Sequence, residues 1–377
     1  MSINKKLDVQ SFFKTMKETQ RSILDFIENE ENAEENYQNL INFCKNQKIQ
    51  EDYNLFKSTL YILKNIANNH HRNQDFISKI EKILMNYKDS IKQTFSNYDI
   101  FNIFKKNKLI LLFLFENEFV TPDKSIAFMM TKTKFKKRFY PQFFYPEFKE
   151  IFNDKLIREI DPEKNDLQSD EFKEKRKIGE NDDHLCELIR NDSIDEFTEL
   201  FQKDSIHIKP SIFETNLFLL KNQNINVIEY AAFFGSSKIL QYLLSLKLTL
   251  ESLVWTSSIH SQSLEIIHLI ENNAKHLMQK DTYKSCLIEI VKCHHAELLV
   301  YFKTNFDQRA INLIEESLKY YNFIELIVYR DPECFNFYRF CQYDYLILVD
   351  NYLTHQNNLF TKDILILFFY EISIFLF

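Results

Sequence analysis

Glycine is unusually scarce in this sequence of 377 residues, since it occurs only at Gly179 and Gly235. A loop that cradles phosphate needs several glycines close together, because its backbone amides must approach the ligand without side chains between them. Two glycines so far apart form neither a P-loop nor a dinucleotide-binding motif, and HExxH and GxSxG are also absent. We therefore expect a protein that is not an enzyme and has no catalytic residue.

Cysteine pairing motifs and a leader segment are also missing. The six cysteines form no CxxC pair, which is typical of reduced thiols in a cytosolic or nuclear protein. The first ten residues, MSINKKLDVQ, are polar and lack the apolar region of a secretory signal. We predict a cytoplasmic location, with the nucleus as the alternative.

No segment has the roughly 18 consecutive apolar residues that a membrane-spanning helix requires. The longest apolar run is the C-terminal segment 364–377, ILILFFYEISIFLF, which Glu371 interrupts. It can be interpreted as a tail anchor or as a buried last element, and its length favours burial.

The composition is that of a folded protein, with 45% hydrophobic and 27% charged residues. Its net charge of −7 argues against a general polyanion binder and so disfavours nucleic-acid and membrane partners. One segment, residues 132–140, runs against this trend by placing cations among aromatic residues. Its cations are Lys132, Lys134, Lys136, Lys137 and Arg138.

Such a basic segment can bind phosphates while its rings stack on bases or insert at an anionic membrane surface. It can equally be a nuclear localisation signal or an exposed loop. We keep a nucleic-acid or anionic-membrane adaptor as the alternative function of this protein.

The best repeat unit lies at residues 228–244, IEYAAFFGSSKILQYLL. Ala231 and Ala232 are small enough for a first helix to lie close to its neighbours, and an apolar stripe begins again at Ile239. Gly235 stands where the first helix must end, in the left-handed conformation that glycine adopts without strain. The segment predicts a helical hairpin of the ankyrin type.

Equivalent apolar positions recur before and after this unit at irregular spacing close to that of ankyrin repeats. They are Leu188-Ile189, Ser258-Ile259, Ile290-Val291 and, more weakly, Leu318. The segments LIRNDSIDEF, PSIFETN, IEYAAFFGSSKI, SLEIIHLIE and KCHH resemble a large family of divergent ankyrin-repeat proteins from unicellular eukaryotes. That resemblance implies an ankyrin fold, a helical N-terminal region and protein binding, with no assigned activity. The chain departs from the TPLH pattern of ankyrin repeats at Val227 and Glu229.

We therefore predict an all-α protein with a degenerate ankyrin-repeat solenoid. A helical N-terminal domain at 1–160 precedes a charged linker at 161–183, in which 14 of 23 residues are charged. Ankyrin-like repeats follow at 184–335, and an atypical hydrophobic segment occupies 336–377. The predicted function is that of a non-enzymatic scaffold for an unidentified protein partner.

By analogy with ankyrin repeats, an outward row on the first helices should contact the partner. This row comprises Tyr230, Phe233, Ser257, His260, Glu289 and Lys292. The alternative is that Phe233 packs beneath a neighbouring loop. We hold the two interpretations equal at this stage.

Metal-ligand chemistry is concentrated at Cys286, Cys293, His294 and His295. Structural zinc sites usually begin with two ligands two to four residues apart and need two more. Adjacent histidines on one helix cannot easily face a single ion. We therefore expect no metal and no cofactor.

Overall fold

The computed structural model describes residues 8–72, 75–201, 206–222, 224–306, 311–324, 326 and 337–355. Throughout these residues the chain forms helices and loops without a strand, and one isolated bridge pairs His207 with Asn226. The all-α prediction is confirmed. No helix among the described residues is long and apolar enough to cross a membrane. The apolar run 364–377 lies outside the described residues.

The N-terminal part of the chain is a series of helices of very unequal length. They are α1 (Val9–Glu28), α2 (Ala33–Asn46), α3 (Tyr53–Asn69), α4 (Phe76–Asn86), α5 (Lys88–Thr94), α6 (Asn97–Phe104), α7 (Lys108–Glu116), α8 (Lys124–Met130), α9 (Thr133–Lys136), α10 (Tyr140–Phe143), α11 (Tyr145–Phe148), α12 (Asp154–Ile160) and α13 (Asp170–Ile178). A short 3₁₀ helix, Ile49–Glu51, precedes α3.

The remaining helices are shorter on average and come largely in pairs. They are α14 (His184–Arg190), α15 (Ile194–Leu200), α16 (Leu217–Lys221), α17 (Val227–Phe234), α18 (Ser237–Ser245), α19 (Leu253–Ile259), α20 (Leu264–Ala274), α21 (Lys280–Cys293), α22 (Ala296–Asn305), α23 (Ile314–Lys319), α24 (Phe337–Gln342) and α25 (Leu346–His355). A second 3₁₀ helix, Lys275–Leu277, follows α20.

The chain divides into two compact units. One comprises Met1–Thr15 and Val328–Phe377, and within it α24 packs against α25. The other comprises Met16–Ile327 and holds every candidate site that is described below.

Within the larger unit, helical hairpins stack in two rows. The hairpins are α14 with α15, α17 with α18, α19 with α20, and α21 with α22. The first helices pack on one another in the order α14, α17, α19, α21, and α21 also contacts α23. The second helices α15, α18 and α20 pack in the same order. An apolar core runs between the two rows.

The hairpin of α17 and α18 turns as its sequence predicts, and the structure adds a capping box at its start. At its start, the Asn226 side chain accepts hydrogen bonds from the amides of Ile228 and Glu229, while Glu229 accepts from the Asn226 amide. This reciprocal capping box satisfies amides that a helix start leaves unpaired. At its end, Gly235 has φ +80°, the left-handed conformation expected there.

The N-terminal helices lie against the row of first helices. Helix α3 packs against α21 and α16. The larger unit is therefore a helical layer placed on one face of the stacked hairpins, rather than an open stack with two exposed faces.

The charged segment 161–183 is not the solvated connector that its composition suggests. Leu167, Phe172 and Arg176 are buried within it, and the Arg176 guanidinium contacts the Glu147 carboxylate at 2.8 Å. A Cβ at Gly179 would come within 2.5 Å of the Leu109 side chain. These few inward residues hold the segment against the N-terminal helices. The prediction that the segment is an exposed linker is therefore wrong where these residues are buried. The division into compact units does not fall there either.

Replacing Ala232 by Leu should destabilise the protein by about 1–3 kcal/mol, because the larger side chain overpacks a close helix contact. Ala232 is fully buried on α17, the helix that packs between α14 and α19. Ala296→Leu is the matched control, since Ala296 is exposed at the start of α22. Chemical denaturation measures both, and equal stability of the two variants would contradict this close packing.

Candidate functional site

The predicted partner-binding row does not face solvent. Tyr230, Phe233, Ser257, His260 and Glu289 are all buried, and Lys292 is only partly exposed. The prediction that these side chains are exposed, on which their assignment as partner contacts depended, is therefore wrong. The physical reason is that other parts of the chain cover this face: Phe218 of α16 packs against Phe233, and His71 after α3 bonds the His260 carbonyl.

Two neighbouring histidines after α3 make part of this cover. The His70 ring nitrogen Nδ1 donates to the Cys293 carbonyl at 2.6 Å, and His71 Nδ1 donates to the His260 carbonyl at 2.9 Å. On its other side, His70 Nε2 lies 3.1 Å from a Glu28 carboxylate oxygen of α1. The end of α3 is thus bonded to two successive hairpins.

Phe233 belongs to an aromatic contact beneath this cover. Its ring centroid lies 5.6 Å from that of Phe218 and 4.8 Å from that of His260. The neighbouring Tyr230 hydroxyl accepts a hydrogen bond from Arg190 at 3.0 Å. The packed interpretation of Phe233 therefore describes the structure better than exposure at a partner surface.

The protonation state of His294 follows from its contact with Gln20 of α1. The Gln20 oxygen accepts from the Phe323 and Ile324 amides, so its NH₂ group must point the other way, toward His294 and Asn322. Because the Gln20 nitrogen has only donors, His294 Nδ1 must accept at 2.7 Å. A neutral ring is required there. Burial, assisted by repulsion from His70, lowers the pKa of His294 to about 3.

The cysteine and histidines at the end of α21 and in the turn after it are adjacent in the sequence but contact different parts of the structure. Cys293 lies beside His260 and Glu289, residues that the sequence did not connect with it, whereas His294 faces Gln20. The His295 ring lies 4.7 Å from that of His70, and neither of its nitrogens has a hydrogen-bond partner. Only the stacking of hairpins brings His260 to the other two residues. The spacing of Glu289 and Cys293, one helical turn apart, was the available signal.

The charges of this buried group are largely compensated. His260 Nε2 lies 3.1 Å from Glu289 Oε1, and Lys292 donates to Glu289 Oε2 at 2.6 Å. Burial alone would raise the pKa of Glu289, but these two partners outweigh it and lower the pKa to about 2. Burial raises the pKa of the Cys293 thiol well above its usual value. Glu289 is therefore ionised at neutral pH, whereas Cys293 is a thiol.

The basic segment 132–140 contributes cations to the surface but few free rings. Lys134 and Lys137 are exposed, whereas Lys132, Lys136 and Arg138 are partly buried, and Lys136 forms a salt bridge with Glu159 at 2.7 Å. The aromatic residues fold inward, since Phe135 is 1% exposed and Tyr140 is fully buried. Phe128, which precedes the segment, is 66% exposed.

Further cations from distant parts of the chain join this segment. We call Lys105, Lys106, Lys132, Lys134, Arg138 and Lys221 the cationic cluster. Burial, together with repulsion from Lys134, Lys106 and Lys132, lowers the pKa of Lys105 to about 8.

Lys106 is close enough to several of these cations for their charges to repel. After burial, repulsion from Lys134 and Arg138 contributes to lowering its pKa. Burial and repulsion from Lys292, Lys106 and Arg138 lower the pKa of Lys221 to about 8. Among the described residues, Lys106, Arg138 and Lys221 form no salt bridge. The sequence revealed only the contiguous part of this surface, because the fold supplies the rest.

No protein-family model, curated protein or solved structure matches this chain. The resemblance to divergent ankyrin-repeat proteins therefore stays a prediction. The buried row, the buried His260, Glu289 and Cys293 group, and the partly exposed cationic cluster are the features from which a function can be inferred.

Phe233→Ala should cost about 3–5 kcal/mol of stability, because it removes a buried ring from the contact with Phe218 and His260. Phe128→Ala is the matched control, since the same truncation occurs at a ring that is 66% exposed. Thermal and denaturant unfolding of both variants would test this. A Phe233→Ala protein as stable as the Phe128→Ala protein would mean that Phe233 is not core.

His294→Asn should make the stability less sensitive to acid. A histidine that stays neutral when folded costs stability as the pH falls below its unfolded pKa of about 6.5, at up to about 1.4 kcal/mol per pH unit. Glu81 and Glu229, whose pKa values burial raises to about 7, act in the opposite direction. The measurement is therefore a difference: between pH 7 and pH 5, the wild type should lose up to about 2 kcal/mol more than the variant.

Asparagine suits the variant because position 294 has φ +61°, a conformation that asparagine tolerates. His276→Asn is the control, since His276 is exposed and its loss should leave the acid sensitivity unchanged. Identical pH dependence of wild type and His294→Asn would show that His294 is not held neutral.

Proposed function

We propose that this protein is a non-enzymatic interaction scaffold, built of ankyrin-type hairpins, that binds an acidic segment of a partner protein at the cationic cluster. The ankyrin assignment is supported by the two rows of stacked helices, the fully buried Ala231 and Ala232, and the left-handed Gly235 turn. The stack is rigid, so its surface side chains lose little freedom on binding.

The single observation that carries the binding site is the concentration of cations around Lys106. The cations around Lys106 repel one another, and this repulsion destabilises the folded protein locally although the net charge of the whole chain is −7. A carboxylate-rich partner would relieve the repulsion and form charge-assisted hydrogen bonds with Lys106, Arg138 and Lys221. Electrostatic attraction of this kind also accelerates encounter and selects the sign of the partner's charge.

The cationic cluster is held by both layers of the larger unit. Lys105 and Lys106 follow α6, and Arg138 lies between α9 and α10, all in the N-terminal layer. Lys221 ends α16, which α3 contacts, on the side of the hairpins. A partner bound there would contact both layers while the inner face stays covered by α3.

A protein partner fits this surface better than a nucleic acid or a membrane. Grooves for single-stranded nucleic acid use a series of exposed rings on which bases stack, and membrane-surface segments insert apolar side chains. Here Phe135 and Tyr140 are buried, which leaves Phe128 as a single well-exposed ring near the cations. The overall negative charge also repels a long polyanion.

The absence of enzymatic activity is likewise a proposal, and burial supports it. His260, Glu289 and Cys293 have suitable chemistry for catalysis but are at most 7% exposed, so a substrate has no access to them. A cavity beside Lys137 and Tyr230 measures only about 50 Å³. A wider surface depression of about 600 Å³ is lined by acidic and amide side chains, without a histidine, cysteine or lysine: Asp25, Glu28, Asn29, Glu30 and Asn36.

Reversing charge within the cationic cluster should abolish binding of an acidic probe. We would titrate a labelled glutamate-rich peptide into wild type and into the triple variant Lys106→Glu, Arg138→Glu, Lys221→Glu. The variant should bind at least about tenfold more weakly, and wild-type affinity should fall as salt is added. Fluorescence anisotropy measures both.

The matched control is Lys45→Glu, Lys92→Glu, Lys155→Glu, which makes the same change in net charge at exposed lysines of α2, α5 and α12. It should bind the peptide much as wild type does apart from a small long-range effect. In lysate, partner proteins should be retained by wild type and the control but lost by the first variant. Equal binding of the peptide by the wild type, the first variant and the control would contradict the proposal that the cationic cluster is the binding site.

The same titrations with single-stranded oligonucleotides and with vesicles containing phosphatidylserine test the alternative function. The alternative is supported if the protein binds either probe more tightly than the peptide and loses that binding in the Lys106, Arg138, Lys221 variant. That result would favour the nucleic acid or the membrane over an acidic protein as the partner.

A further inference from the structure

Three buried side chains from two neighbouring hairpins converge with metal-ligand chemistry. A nitrogen of His260, a carboxylate oxygen of Glu289 and the sulfur of Cys293 all lie within 4.8 Å of one another. His260 Nε2 is 3.1 Å from Glu289 Oε1 and 3.8 Å from Cys293 Sγ. Cys293 Sγ also lies 3.6 Å from His260 Nδ1, so the sulfur is beside both nitrogens of the ring while Glu289 is beside Nε2.

The fold places these residues for simple reasons. Glu289 and Cys293 are one turn apart on α21 and so share a face of that helix. His260 directly follows α19, the first helix of the preceding hairpin, and α19 packs on α21. Adjacent first helices in the stack thus bring the three residues together.

We propose that His260, Glu289 and Cys293 bind a zinc ion. Imidazole, carboxylate and thiolate together select zinc or a similar transition metal, whereas magnesium and calcium prefer oxygen ligands alone. Zinc bonds of ordinary length in a tetrahedron separate nitrogen from oxygen by about 3.4 Å and nitrogen from sulfur by about 3.6 Å. The two observed separations, 3.1 Å and 3.8 Å, are close to these values.

The surrounding contacts are compatible with the ion. Lys292 binds Oε2 of Glu289 and leaves Oε1 toward His260, so one carboxylate can serve the lysine and the metal together. Binding replaces the S–H bond of Cys293 by a sulfur–zinc bond and releases that proton to solvent. The contact of His260 Nε2 with Glu289 is replaced by a bond from each to the ion, and the ring proton of a neutral His260 moves from Nε2 to Nδ1. Three protein ligands leave one coordination position, which water fills in catalytic zinc sites with three protein ligands, whereas most structural sites have a fourth protein ligand.

His295 is a further observation in the same region. Its ring is buried, neither of its nitrogens has a hydrogen-bond partner, and it follows the proposed ligand Cys293 by two residues. Buried polar atoms without a partner are uncommon and costly in folded proteins. A solvent molecule bound to the ion would give the ring nitrogens of His295 a polar neighbour.

The inferred role of the ion is structural. The three ligands are at most 7% exposed, so no substrate reaches the metal and the ion must enter as the hairpins close during folding. His70 and His71 bond the carbonyls of Cys293 and His260, two of the three ligand residues. The ion would therefore stabilise the place where the N-terminal layer rests on the hairpins. This inference does not depend on the proposed partner surface.

Metal analysis of the full-length protein tests the inference. Protein produced with zinc in the medium and dialysed against metal-free buffer should contain roughly one zinc per chain by plasma mass spectrometry. Cys293→Ser should lose the metal. Cys286→Ser is the matched control, because Cys286 is fully buried on the same helix but lies outside the ligand group, and it should keep the metal.

Two measurements on the unmodified protein cover the case in which Cys293→Ser fails to fold. Refolding with cobalt should produce a thiolate-to-cobalt charge-transfer band, and a chelator should lower the melting temperature. Wild-type protein without zinc after refolding in its presence would overturn the proposal. So would a Cys293→Ser protein that folds and keeps as much zinc as wild type.

Discussion

The buried side chain of Gln20 is the contact on which the arrangement of the larger unit depends. Its NH₂ group donates to His294 and Asn322, and its oxygen accepts from the amides of Phe323 and Ile324, so all its hydrogen-bonding capacity is used. Any shift of α1 along the hairpins would leave these buried groups unpaired, at a cost of about 1–3 kcal/mol for each group. The contact therefore fixes both the position of α1 and the neutral state of His294.

Covering the inner face changes what a stack of hairpins can do. Tyr230, Phe233 and His260 pack as core residues, although their positions would face outward in an uncovered stack. The covering contact is polar at its centre, where His70 and His71 bond backbone carbonyls, and apolar around Phe218 and Phe233. In the proposed function, recognition of a partner is therefore assigned to the cationic cluster instead of to this covered face.

The sequence predicted features that depend on neighbouring residues and missed those that depend on distant ones. The all-α class, the turn at Gly235 and the burial of Ala231 and Ala232 follow from helical periodicity and from the backbone freedom of glycine. Periodicity distinguishes one side of a helix from the other, but it does not reveal a second layer. For that reason the sequence alone leaves Phe233 equally compatible with a partner surface and with packing beneath a neighbouring loop. The segment 161–183 was misread because charge composition hides the few inward residues, such as Phe172, that fix it in place.

The paired histidines after α3 have a consequence for how this protein can change over evolutionary time. Repeat proteins commonly gain or lose units, because each unit contacts only its neighbours. Here adjacent residues, His70 and His71, are bonded to Cys293 and His260, which belong to successive hairpins. A unit inserted between those hairpins would move one carbonyl beyond the reach of its histidine. The number of units between these points is therefore fixed, and lineages that keep the N-terminal layer should vary in loops and at the chain end instead.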